Sequence, residues 1–174
     1  MKASTHSPSA AKRSSPVSKP HTGSGDVLAE NTNGGNRMSA KRENFVPDTV
    51  YARIMDGKAM FPTAVSVEGQ RMVFTSGQLA WDKDGNTVGK GNMRAQFEQV
   101  GQNLKNALEA AGATLEDVVK AVTYVTDIDA FFECVDIREK YLGPGWPTST
   151  TFEVSRLAHP DMMIEIDMIA VVND

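Results

Sequence analysis

One cysteine stands in 174 residues. It cannot form an intrachain disulfide, so the fold must be held by its core, and a reducing, cytoplasmic setting is expected. Histidine is scarce too: of three, only His159 lies in the part that patterns as folded. One thiol and one imidazole there make no readable metal-ligand set. No apolar run approaches the roughly 20 residues of a bilayer-spanning helix, so no membrane partner is expected. No glycine-rich phosphate cradle is present, and no cofactor is expected. Basic residues number 18 against 22 acidic, for a net charge of −4. Residues 1–40 carry five basic and two acidic residues, net +3, while the other 134 carry 13 basic and 20 acidic, net −7. An acidic folded part lacks the basic face that binding nucleic acid requires.

Aliphatic clusters are missing from residues 1–44 beyond Val27 and Leu28, and Ser, Pro, Gly, Asn and Lys dominate there. Such a stretch cannot bury enough surface to offset the entropy of ordering. The expectation is a disordered extension over 1–44 and one folded domain over 45–174. The extension is too polar for a secretory signal. Its first 25 residues lack acids and carry Lys2, Lys12, Arg13 and Lys19, but the amphipathic Arg-rich helix of a transit peptide is missing. Met38 is an alternative start, which would leave residues 1–37 untranslated.

What is present suffices for one core: 40% of residues are hydrophobic and 23% charged. A short first strand is expected over 51–54, then strands over 63–67 and 71–76, joined by a hairpin signal at Glu68-Gly69-Gln70. Asn92 opens the clearest helix, to Ala111, with Phe97, Val100, Leu104, Ala107, Leu108 and Ala111 on one face and Gly112 as its stop. Thr114 and Asp117 form a capping box before a β-branched strand over 118–126. Asp129 is expected to cap a second helix, 130–142, which Gly143-Pro144-Gly145-Trp146-Pro147 breaks. The end, Pro147–Val172, reads as two strands joined by a turn, a terminal hairpin. This is an α+β sandwich, a mixed sheet with two helices on one face. In the last strand Ile164, Ile166, Met168, Ala170 and Val172 share one side, yet Met163, Ile169 and Val171 occupy the other. In the strand at 118–126, Val118, Val122 and Tyr124 fall on one side and Val119, Ala121 and Val125 on the other. Helices cover one side only, so the second is expected to meet another subunit.

Three segments then resemble the Rid family, also called YjgF-like: VFTSGQLAWD at 73–82, GNMRAQFEQVGQNLKNALEAAGATLEDVVKAVTYVTDIDAF at 91–131, and PTSTTFEVSRLAHPDMMIEIDMIAVV at 147–172. The resemblance implies a chorismate-mutase-like fold, a homotrimer, and ligand clefts between subunits. It also implies hydrolysis of reactive enamines and imines to 2-oxo acids and ammonia. By position within the motifs, Glu165 is the acid that handles water. Thr75, Ser76, Gly77 and Gln78 form the backbone-lined segment, with Ser76 and Gly77 as substrate contacts. Thr63 follows Pro62 where a tyrosine is frequent, and Thr151 stands where a cysteine or similar residue occurs. Ser149 occupies the place of the arginine that holds the substrate carboxylate. A neutral hydroxyl cannot replace a guanidinium fork, which places the chain with arginine-lacking members and counts against 2-imino acid hydrolysis.

Each residue also has a plain reading. Glu165 could pair with a cation at an interface, and Asp167 fits a structural role. Ser149 and Thr151 could serve strand propensity alone. Cys134 reads as a packed thiol and His159 as a loop residue. The enzymatic expectation is hydrolysis of a small imine or enamine metabolite in an intersubunit cleft, with Glu165 catalytic and Ser149, Thr151, Thr63, Ser76 and Gly77 binding substrate. The alternative is a non-catalytic trimer that binds a small metabolite. Some relatives are described as ribonucleases, and the acidic domain argues against that activity here.

Overall fold

The computed structural model describes residues 40–47, 49–50, 54–55, 57–59 and 61–173. Its centre is the last strand, β8 (Ile164–Val172), whose alternate residues sort cleanly. Ile164, Ile166, Met168, Ala170 and Val172 are all within 1% of complete burial, and the residues between them are half-buried. Strand period 2 has placed one set beneath helices and the other on an open face.

β8 pairs antiparallel with β5 (Arg71–Phe74) and with β6 (Val118–Val125), and β6 pairs parallel with β7 (Thr148–Glu153). The sheet order is β5-β8-β6-β7, a mixed sheet as expected. The terminal hairpin does not form, because β7 and β8 flank β6 rather than each other. Helices α2 (Ile128–Phe132) and α3 (Val135–Leu142) carry the chain from β6 to a parallel β7. The connection at 154–163 is longer than the about two to five residues of a hairpin loop. Its two ends lean on the end of β6: Val154 N–H donates to Val125 O (2.8 Å) and Thr126 N–H to Met163 O (3.0 Å).

A register shift between Val118 and Lys120 marks a bulge in β6. It moves Val118 onto the helix side with Ala121 and Val125, not onto the side of Val122 and Tyr124 as strict alternation predicts.

Helix α1 (Met93–Ala110) matches its sequence signals. Asn92 Oδ1 accepts from Ala95 N–H (3.1 Å), and Gly112 takes the left-handed φ of +70° that suits a helix stop. Phe97, Val100, Leu104 and Leu108 are fully buried against β8, while Ala111 is exposed. Asp117 Oδ2 accepts from Thr114 N–H (2.7 Å) and Thr114 Oγ1 (2.8 Å), as the capping box predicts.

The second helix differs from expectation. Its cap is Asp127, which accepts from Ala130 N–H (2.9 Å), not Asp129, and the helix breaks at Cys134. Six residues of unbroken helix turn about 600°, which would aim Phe131 and Ile137 roughly 120° apart. The break lets both bury. α3 lies against α1 at Gly101, where any Cβ would strike the Tyr141 ring. Three ties hold it there, one of them the ion pair of Lys140 with Glu98. Tyr141 Oη donates to Glu98 Oε1 (2.8 Å), and the Arg94 guanidinium grips Asp136 through both oxygens (3.0 and 2.7 Å).

Two small sheets lie outside. β1 (Lys41–Phe45) pairs with β4 (Ala64–Glu68), and β2 (Ile54–Met55) with β3 (Lys58–Ala59). The signal at 68–70 therefore joins two strands that pair elsewhere. β1 also corrects the boundary expected at residue 44. Arg42 donates to the carbonyls of Val118 (2.9 Å), Trp146 (3.0 Å) and Glu116 (3.4 Å), so a polar strand is held by side-chain bonds that hydropathy does not reveal. The rest of the expected extension, and most of the first strand expected at 51–54, lie outside the described residues. No helix among the described residues is long and apolar enough to cross a membrane.

Candidate functional site

The open face of the sheet carries the acids. Glu165 stands across the ladder from Tyr124, and Asp167 from Val122. Beside them β5 ends, and Thr75–Gln78 continues across β8 with an interruption. Thr75 N–H donates to Met168 O (3.0 Å), and Met168 N–H returns to Thr75 Oγ1 (2.9 Å). Gln78 then exchanges backbone bonds with Ile166 (2.8 and 3.2 Å). Ser76 and Gly77 span the gap between these pairings.

Gly77 lies directly over Glu165. A Cβ there would sit 2.9 Å from Glu165 Cδ and 3.1 Å from Cγ, and closer still to Oε1. The glycine leaves room for the carboxyl. Gly77, Glu165, Asp167, Tyr124, Arg156 and Leu157 line a cleft of about 500 Å³. Burial raises the Glu165 pKa above the ordinary carboxylate range, and the charge of Asp167 adds to the rise. The result is an acid suited to exchanging protons closer to neutral pH.

Ser149 and Thr151 are elsewhere. In the β6–β7 register they stand across from Ala121 and Thr123, on the helix side. With Phe61, Ile128, Phe132 and Arg138 they line a second cleft, of about 180 Å³. Because side chains alternate along a strand, Glu165 and Ser149 sit on opposite faces of one sheet. Within one protomer, then, Glu165 and Gly77 come together, Ser149 and Thr151 come together, and the two pairs do not meet. Ser76 is exposed next to Gly77, and its carbonyl accepts from Gln78 Nε2 (3.2 Å). Thr63 is exposed at the head of β4, donates its N–H to Phe45 O (2.8 Å), and lines neither cleft.

Sequence reasoning missed Arg156, Arg138 and Gln96. Arg138 had a signal: in the helix expected over 130–142 it falls on the stripe of Phe131 and Cys134, a charge on an apolar face. Gln96 is fully buried in α1 and had none. Its Nε2 donates to Asp161 O (2.7 Å) and Gly89 O (3.3 Å), and its Oε1 accepts from Met163 N–H (2.7 Å). It thus fastens the far end of the connection whose Arg156, Leu157 and Ala158 line the first cleft. Cys134 is a buried thiol whose pKa burial raises. His159 accepts from Asp161 N–H (3.2 Å) and packs edge-on to Trp81.

A mixed sheet, helix-packed on one side and open around a carboxylate cleft on the other, defines an α+β protein of one recognisable class. The endoribonuclease L-PSP family pattern matches residues 55–172. A RutC family protein of Pyrococcus abyssi is 34% identical over 113 residues, spanning 65% of this chain and 88% of the relative. The structure of YyfB from Yersinia pestis, a protein of unknown function in the conserved Rid family, superposes with a TM-score of 0.64. It is 33% identical and covers 75% of this chain and 98% of its own. Escherichia coli TdcF with bound serine gives a TM-score of 0.52 at 28% identity, over 61% of this chain and 87% of that one. The chain belongs to the Rid (YjgF) family, the group that the endoribonuclease L-PSP pattern describes.

Proposed function

We propose that this protein hydrolyses small enamine or imine metabolites in a cleft shared between subunits of a homotrimer. One observation carries the reading: Glu165 is a half-buried acid with a raised pKa, held under a glycine in an open cleft. The chemistry needs little else. Water adds through oxygen to the carbon of a protonated imine and gives a proton to the Glu165 carboxylate. The carbinolamine takes that proton on nitrogen, the C–N bond breaks with its electron pair leaving on ammonia, and the hydroxyl proton is lost as the carbonyl forms. An enamine enters the same path after protonation at carbon.

The trimer reading rests on the open face. Phe74, Met72 and Phe152 are 65%, 56% and 49% exposed there, in line with Ile169, Val171 and Tyr124. That is a contiguous apolar surface of the kind a second copy covers. A neighbouring copy is also what would bring Ser149 and Thr151 to a foreign Glu165. Serine, as held by TdcF, sets the scale of ligand proposed here.

The test generates imines in situ with an amino-acid oxidase and follows ammonia release and semicarbazide trapping. Acceleration that disappears in Glu165→Gln supports the reading, and no acceleration with any imine sinks it. Ser149 favours a second reading, metabolite binding without turnover, which would show as saturable binding in the absence of catalysis.

A further inference from the structure

Thr75 and Gln78 pair with β8, but Ser76 and Gly77 between them do not, and Gly77 is the residue that lies over Glu165. How closely it covers the acid is therefore set by the chain on either side. On one side is the ladder. On the other is the turn that follows, where Leu79 and Ala80 are buried in the core and the carbonyls of Leu79 and Trp81 meet a single side chain of α1. Asn103 Nδ2 donates to Leu79 O (3.0 Å) and to Trp81 O (2.9 Å), using both of its protons. Asn103 Oδ1 accepts from Gln99 Nε2 (2.9 Å), which also reaches Trp81 O (3.4 Å). That bond fixes which way the carboxamide points, nitrogen toward the two carbonyls.

Gly77 has room to move in one direction. Toward Glu165 there is no space for as much as a Cβ, which would stand 2.9 Å from Glu165 Cδ. On its other side Gly77 lines a second groove, of about 560 Å³, with Gln99, Asn103 and Asn106. It is the one described residue that this groove shares with the Glu165 cleft.

We propose that Asn103 is a positioning residue of the Glu165 site: by holding the carbonyls of Leu79 and Trp81 it keeps Gly77 against the carboxyl and screens that acid from water. This rests on the reading of Glu165 as the working acid and adds the residue that holds its cover. Asn103 acts through Gly77 and touches no substrate. Without its two bonds the cover shifts outward into the groove, water reaches Glu165, and the charged form becomes easier to make. The titratable and charged groups that line the cleft with Glu165 are Asp167 on its own strand, Tyr124 on β6 and Arg156 on the connection, and Asn103 bonds to none of them.

The test labels the full-length protein with glutamate carrying an NMR-active carbon at the side-chain carboxyl. The Glu165 resonance, identified by its loss in Glu165→Gln, is followed through a pH titration. In Asn103→Leu, which keeps the volume and removes both donors, the midpoint is expected to fall toward the ordinary carboxylate range. Asn106→Ala, in the same groove but bonded to Gln102 instead, should leave it in place. With imines generated in situ, Asn103→Leu should lower kcat about 10- to 100-fold and leave KM within about twofold, the scale of a misplacement of about 1 Å. The buried Leu79 and Ala80 should keep this variant folded. If it unfolds, Gln99→Leu, which removes the bond that orients Asn103, should show a smaller fall in the same direction. An unchanged midpoint in folded Asn103→Leu, an unchanged midpoint in Gln99→Leu where Asn103→Leu does not fold, or an equal fall in Asn106→Ala each overturns the assignment. Turnover separates this proposal from the previous one. If the midpoint falls in Asn103→Leu but the wild type turns over no imine, the positioning role stands and the hydrolase falls. If Asn103→Leu turns over imines with wild-type kcat and an unchanged midpoint, the hydrolase stands and the positioning role falls.

Discussion

Replacing Gln96 with leucine should cost far more stability than a glutamine-to-leucine change in a helix suggests. Leucine fills similar space and is a slightly better helix former, so propensity and volume predict little change. The hydrogen bonds predict otherwise. Gln96 is fully buried, and it alone reaches both Asp161 O (2.7 Å) and Met163 N–H (2.7 Å) from across the molecule. Leucine would leave a carbonyl and an amide without this partner, at about 1–3 kcal/mol each. The expected loss is therefore about 2–6 kcal/mol, or roughly 4–24 °C in Tm for a chain of this size. Urea unfolding followed by far-UV circular dichroism measures it, with protomer concentration held fixed because assembly adds stability by mass action. The loss should be accompanied by protease cutting within 154–163, the connection that Gln96 fastens. A change below about 1 kcal/mol would refute the reasoning, because it would mean the two backbone groups find other partners at no cost.

Three more outcomes follow from the site. A folded-state pKa raised by burial means that ionising Glu165 costs more in the native protein than in the unfolded chain. Stability from this group is therefore lost as pH rises from the ordinary carboxylate range through the raised value, and Glu165→Gln should match wild type near about pH 4 and exceed it at neutral pH in parallel melts. Gly77→Ala should displace the Glu165 carboxyl, lowering kcat at least tenfold while Tm moves by only a few degrees, since the clash falls on the movable end of a side chain. Met72→Asp with Phe74→Asp places two charges on the open face where 56% and 65% of those residues are exposed, and light scattering should then report monomer in place of trimer.

Local signals were the legible ones. Asn92, Gly112 and the Thr114–Asp117 pair each act within four residues, so the sequence displays cause and effect side by side. The alternation of 164–172 was equally readable, because a strand buried on one side repeats every two residues. What escaped depends on partners distant in sequence. β7 and β8 are adjacent in sequence and separated in space, since α2 and α3 lay β7 parallel to β6. A single extra residue near Val119 reverses which face Val118 meets, and no side chain announces it. Arg42 looks like part of a solvated run until its three carbonyl partners are seen. The candidate site divides in the same way. Glu165 and Gly77 could be read from motifs, but their separation from Ser149 is a matter of ladder register, which motifs do not encode.

That separation has a genetic consequence. If each site draws its acid from one copy and the hydroxyls of Ser149 and Thr151 from another, defects on the two sides of the sheet become complementable. On the proposed reading, protein carrying only Glu165→Gln should lose turnover, and so should protein carrying only a bulky Ser149→Trp that fills the hydroxyl cleft, but neither lacks what the other supplies. When the two are dissociated, mixed equally and reassembled, random pairing gives about a quarter of the clefts two intact halves. Two inactive preparations would make one active mixture.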